Sequence, residues 1–214
     1  MDVEAAKIEL AKISQETDPC LRMLHLASLI GQLFREKGYE TVVVGGSAIE
    51  LYTEGQYMSG DLDMAWKTKR PPLAEIQKLM TELGGQGGPR NWEIAGSFVD
   101  LLGVVESEAR TPFQTIEGPY GKVEIIQTEM LLAERILVAT YPQPNEEALK
   151  CARTLMFACM SENITLNWTE AGRLANSPEY QVGPKFTELK NEASSLCSQK
   201  LTKANKNRER PQGD

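Results

Sequence analysis

Residues 42–66 read VVVGGSAIELYTEGQYMSGDLDMAW, and the order of events in that stretch decides the fold. Val42–Val44 close a β-branched run, YETVVV, which two glycines stop, giving a strand of about five residues. A short helix, SAIELYTEG, follows, and Ser47 with Glu50 fits the S-x-x-E capping box. DLDMAWK is then a second strand, with Asp61 and Asp63 set into an apolar run. Aspartate is depleted in strands. At i and i+2 the two project from one face, roughly 7 Å apart along the backbone, while Leu62 and Met64 turn to the other. Carboxylates so placed repel one another and are costly to desolvate. A divalent cation removes both penalties.

Gly45 and Gly46 sit where the first strand becomes the helix. Glycines let a ligand approach the backbone, and free N–H groups at a helix start attract anions. Gly45, Gly46 and Ser47 are therefore candidate phosphate-binding residues. G-x-x-x-x-G-K-[ST] and G-x-G-x-x-G are both absent, which excludes a Walker A loop and a dinucleotide fingerprint. An anion-binding turn followed by a metal-binding carboxylate pair suits phosphoryl or nucleotidyl transfer.

Outside this stretch, apolar residues recur at helical spacing from Val3 to Lys37, with Asp18-Pro19 as a cap and first-turn signal that divides the run into two helices. PPLAEIQKLMTELGG is a helix, GQGGPR a turn, and NWEIAGSFVDLLGVV two strands about Gly96. FQTIEGPYGKVEIIQ is a hairpin, and helices follow in TEMLLAERILVAT, NEEALKCARTLMFACM, TEAGRLANS and KFTELKNEASSLCSQKL. Strands in the middle with helices at both ends read as α+β: a mixed sheet with flanking helices and a helical C-terminal part. The expected organisation is residues 1–37 as N-terminal helices on the core, 38–140 as the α+β core, 141–200 as the helical part and 201–214 as a disordered polar tail.

The composition, 41% hydrophobic and 25% charged, is that of an ordinary globular protein. A net charge of -7 argues against a surface that grips nucleic acid throughout. Four scattered cysteines without a C-x-x-C pair, and a single His25, argue against zinc and for reduced thiols. No window approaches ~18 continuous apolar residues, and MDVEAAKIELAKIS lacks a signal-peptide core, so a cytoplasmic protein with no membrane span is expected.

The series GGSAIELY…SGDLDMAW resembles the signature of the polymerase-β-like nucleotidyltransferase superfamily. Within it the series more closely resembles the minimal nucleotidyltransferase-like proteins, including those of type IV toxin–antitoxin systems. The resemblance is specific over Val42–Lys67 and weaker through FVDLLG and VEIIQTEMLLAERI. It implies a nucleotidyltransferase-like sheet in which Asp61, Asp63 and a third carboxylate on a neighbouring strand are catalytic and hold Mg²⁺ or Mn²⁺. Asp100 is the candidate third member, with Glu124 and then Glu93 as rivals. It further implies an NTP, such as ATP, as donor and a nucleoside monophosphate transferred to an acceptor hydroxyl or amine. Small molecule, tRNA and protein remain open as acceptors. The loop before the aspartates departs from the usual pattern at Ser59 and Gly60. Glu134 and Arg135 stand where many relatives carry a Lys, and LKCARTLM has Lys150 and Arg153 but no Asp. These departures support the alternative of a catalytically silent binding or regulatory protein with a protein partner, such as a toxin–antitoxin component. A third reading has Asp61 and Asp63 on a structural Ca²⁺.

His25 is expected to be a partly buried structural residue, and Trp66, Trp92 and Trp168 packing residues. Tyr57 could stack on a base or simply pack its loop. Lys67, Lys69 and Arg70 are expected at a solvated strand exit, and the basic tail reads as solubilising.

Overall fold

The computed structural model describes residues 1–106, 113–161 and 164–208, with side chains up to residue 199. The chain forms two compact units, Met1–Gln127 and Thr128–Asp214. Among the described residues no helix is long and apolar enough to cross a membrane.

The first unit runs α1 (Val3–Ile13), α2 (Pro19–Arg35), β1 (Thr41–Val43), α3 (Gly45–Tyr52), β2 (Asp61–Trp66), α4 (Leu73–Glu82), β3 (Gln86–Gly87), β4 (Asn91–Ile94), β5 (Ser97–Val104), β6 (Phe113–Gly118) and β7 (Gly121–Ile126). The strands form one seven-stranded sheet in the order β3-β4-β5-β2-β1-β7-β6. It is mixed, as expected for α+β. The pairs β2–β5 and β1–β7 are parallel, and the other neighbours are antiparallel.

Local chemistry explains most element boundaries. Asp18 caps α2 by accepting from the Cys20 and Leu21 amides at 2.9 and 3.1 Å, with Pro19 in the first turn. The β4–β5 turn places Ala95 and Gly96 both at positive φ, 52° and 73°, which suits a tight two-residue hairpin. GQGGPR is more than a turn. Gln86 and Gly87 add a short edge strand to β4. β1 is also shorter than expected, three residues; the Val44 amide still bonds Asp63 O on β2 at 3.1 Å, and the chain then turns into α3.

The core forms on the face covered by α2. Leu26, Leu29, Ile30, Leu33 and Phe34 are buried there. The helix passes so close that a Cβ on Gly31 would meet Thr41 Oγ1 at 3.0 Å and Met64 Cε at 4.0 Å. Phe34 packs edge-on against Trp66, ring centroids 4.9 Å apart. Leu62, Met64 and Trp66 thus all turn toward α2, which leaves Asp61 and Asp63 on the opposite face.

The second unit is helical: α5 (Thr128–Thr140), α6 (Glu146–Met160), α7 (Trp168–Ala175) and α8 (Gly183–Arg208). Asn145 and Asn167 cap α6 and α7 by accepting from Ala148 and Glu170 amides. Its interior includes Leu132, Ile136, Leu155, Met156, Leu174 and Leu189. Buried Glu129 accepts the Asn167 amide, and burial with Glu129 nearby pushes the Cys159 thiol up to about 12. α8 runs past Leu201, where the sequence reading ended it, and residues 209–214 of the polar tail lie outside the described residues.

Candidate active site

Parallel pairing of β2 with β5 puts Asp63 directly beside Asp100, and Asp61 beside Phe98. Register partners share a face, so Asp61, Asp63 and Asp100 all project from the side away from α2. One carboxylate oxygen from each lies within 4.8 Å of the others. None of the three is buried, so solvent reaches the cluster. Asn91, the register partner of Asp100 on β4, donates from Nδ2 to Asp100 Oδ1 at 2.6 Å. Ser59 Oγ donates to Asp61 Oδ1 at 3.2 Å.

The rivals for the third carboxylate lie elsewhere. Glu124 is on β7, separated from β2 by β1, and engages Thr115 Oγ1 at 3.2 Å and Lys67 Nζ at 3.5 Å. Glu93 is an exposed residue of β4 paired with Phe98.

The glycine turn abuts the cluster. Gly45 has φ of 63°, and a Cβ there would sit 2.3 Å from Asp63 Oδ2. A Cβ on Gly46 would sit 2.8 Å from Ser59 Oγ. A side chain at Gly45 would displace the Asp63 carboxylate and strain the backbone, whereas one at Gly46 would require only that the Ser59 hydroxyl turn away. The first bond of the helical ladder is Ala48 N–H to Val44 O, so the Gly45, Gly46 and Ser47 amides precede it.

Ser47 and Glu50 do not form the expected capping box. The helix begins at Gly45, too early for Ser47 to be its cap. The Ser47 hydroxyl instead reaches β2, donating to Asp61 O at 2.9 Å and accepting from the Asp63 amide at 2.7 Å. It clamps the turn to the acidic strand. Ser47→Ala would leave a backbone donor of Asp63 without its partner, a loss of about 1–3 kcal/mol. Chemical denaturation of the variant should show that loss, and an unchanged midpoint would count against the clamp.

Glu50 is 0% exposed and accepts the Ser59 amide through Oε2. Desolvation holds its carboxyl above the usual carboxylate range, while the Ser59 amide opposes the shift. A raised folded-state pKa gives a stability contribution present below the unfolded value and lost as pH rises through the folded one. Wild type should therefore gain stability relative to Glu50→Gln as pH falls through the raised folded-state value toward the ordinary carboxylate range, read as the difference in Tm. A difference independent of pH would contradict the assignment.

The remaining sequence candidates take structural places. His25 is half-buried on α2, and Trp66 and Trp92 are buried. Lys190 lies over the Trp168 ring at 4.5 Å, and Lys69 over Tyr39 at 5.1 Å. Lys67 is half-buried and faces Glu124 and the Phe113 ring, whereas Arg70 is exposed. Arg135 Nη2 pairs with Glu134 at 2.8 Å. Tyr57 packs beside the turn, its Cε1 3.6 Å from a Cβ built on Gly46. Sequence reasoning missed Asn91, although counting back from a turn at Ala95–Gly96 pairs it with Asp100. It also missed the contacts of Ser59, a residue it noted only as a departure.

No family model matches the chain, and no curated protein matches it. Among solved structures it is similar to an antigenic nucleotidyltransferase-like protein from Paracoccidioides brasiliensis, at 12% identity and a TM-score of 0.51, over 82% of this chain and 94% of that one. It is also similar to the antibiotic-resistance factor ANT(2'')-Ia, at 16% identity and a TM-score of 0.48, over 79% and 94%. The chain has the nucleotidyltransferase-like fold.

Proposed function

We propose that the protein transfers a nucleoside monophosphate from an NTP to an acceptor hydroxyl or amine. The observation that carries this reading is the convergence of Asp61, Asp63 and Asp100 beside the Gly45–Gly46 turn. The donor set is all carboxylate oxygen, which suits Mg²⁺ or Mn²⁺ and not zinc. Asp61, Asp63 and Asp100 would hold the ion, which when bound neutralises the charge of a triphosphate.

The chain's own residues supply the rest. The amides of Gly45, Gly46 and Ser47 receive phosphate oxygens, the hydroxyl of Ser47 being already committed to β2. Asn91 holds Asp100 by one oxygen, and the other takes the proton from the attacking group. The acceptor's bond to the α-phosphorus forms as the bond to the leaving pyrophosphate breaks. Positioning and charge placement provide most of the rate.

The test is incorporation of labelled NTPs with Mg²⁺ or Mn²⁺ into a mixed acceptor pool, comparing wild type with Asp61→Asn. Wild-type label that requires Asp61 supports transfer. Nucleotide binding without any incorporation would favour the silent, regulatory alternative.

A further inference from the structure

A cleft of about 180 Å³ adjoins the carboxylate cluster at the N-terminal ends of β2 and β5. It shares Asp61 with the cluster and is otherwise walled by α2, α3, the loop before β2, Leu62 of β2, and the β4–β5 turn with the first residues of β5. Its two other charged residues are Arg22 and Glu50. Glu50 is 0% exposed, and its Oε1 has no hydrogen-bond partner among the described residues. A buried carboxylate oxygen without a donor is costly, and functional sites are where such costs are tolerated. Arg22 acts on Glu50 electrostatically but forms no ion pair among the described residues. Phe98, 59% exposed, stands on the wall beside Asp61 as an apolar rim.

We propose that this cleft binds a small zwitterion, its cationic nitrogen on Glu50 Oε1 and its anionic group on the Arg22 guanidinium. A ligand with a single charge would suit one of these groups and be repelled by the other. Size points the same way, because a cavity of ~150 Å³ holds benzene, which leaves a nucleoside triphosphate far too large. Because Asp61 belongs to both sites, a hydroxyl on the zwitterion lies beside the cluster. If the transfer reading above holds, the zwitterion is the acceptor. Its oxygen then bonds to the α-phosphorus, pyrophosphate leaves, and the hydroxyl proton passes to Asp100.

Calorimetric titration of the full chain with serine, taurine and O-phosphoethanolamine tests this across carboxylate, sulfonate and phosphate, with methylammonium and acetate as single-charge arms. At least one zwitterion should bind about tenfold or more tightly than either single ion. Glu50→Gln and Arg22→Met should each weaken it by about tenfold or more. Zwitterions that bind no better than both single ions, or binding that neither substitution changes, would overturn the proposal. Should Glu50→Gln fail to fold, Arg22→Met on the surface of α2 decides alone. Mg·ATP binding measured in parallel separates the two readings. Nucleotide binding without a zwitterion effect removes only the cleft assignment, whereas zwitterion binding without nucleotide binding removes only the transfer reading.

Discussion

Asp63→Asn should lower nucleotidyl transfer by on the order of 10³-fold while leaving the protein folded. Asp63 is the central member of the cluster: it follows Asp61 on β2, and β5 sets Asp100 directly opposite it. Asparagine keeps the side-chain size and the backbone bonds to Val44 and Ser47, so the sheet is retained. It removes one of the three carboxylates proposed to hold the ion. A ligand that binds only the folded state stabilises it by RT ln(1 + [L]/Kd), about 2.7 kcal/mol at a hundredfold excess over Kd. Added Mn²⁺ should therefore raise the Tm of wild type and leave that of Asp63→Asn nearly unmoved. Equal metal shifts in both proteins, or undiminished incorporation by the variant, would dissociate Asp63 from the reaction.

Gly45→Ala should damage the site through one methyl group. The backbone at φ of 63° costs a residue with a Cβ about 1–2 kcal/mol. The new Cβ would also fall 2.3 Å from Asp63 Oδ2 and 3.1 Å from its Cγ, so the carboxylate must move. A displacement of about 1 Å in a positioned catalytic group can cost about 10²-fold in rate. Gly84→Ala is the matched comparison, since Gly84 has φ of 85° and nothing within 4 Å of its added Cβ. Both variants should lose Tm to backbone strain, but only Gly45→Ala should lose about 10²-fold in transfer. Equal rates in the two would mean that the close approach of Gly45 to Asp63 has no catalytic consequence.

How far the site could be read from the chain differs from residue to residue. The common face of Asp61 and Asp63 follows from the two-residue period of a strand, and the structure keeps it. The resemblance implies a third carboxylate, with Asp100 preferred for its apolar strand pattern and Glu124 as its rival. Nothing local says which strand adjoins β2. The Ser47–Glu50 spacing matched a capping box, but the helix starts at Gly45 and both side chains serve tertiary contacts instead. Local hydrogen-bond preference lost there to the chance to tie β2 and its preceding loop to the helix.

By itself the amino-acid sequence determined the local pieces: the helices with the Asp18 cap, the alternation that separates Asp61 and Asp63 from Leu62 and Met64, and the turn at Gly96. These depend on neighbours within a few residues. Only the tertiary structure decided that β5 pairs in parallel with β2, bringing Asp100 to Asp63, and that Glu50 is buried with Oε1 unpartnered beside Arg22. Those outcomes join segments far apart in the chain. They depend on the loop-closure entropy and non-local packing of the whole sheet, which no short window contains.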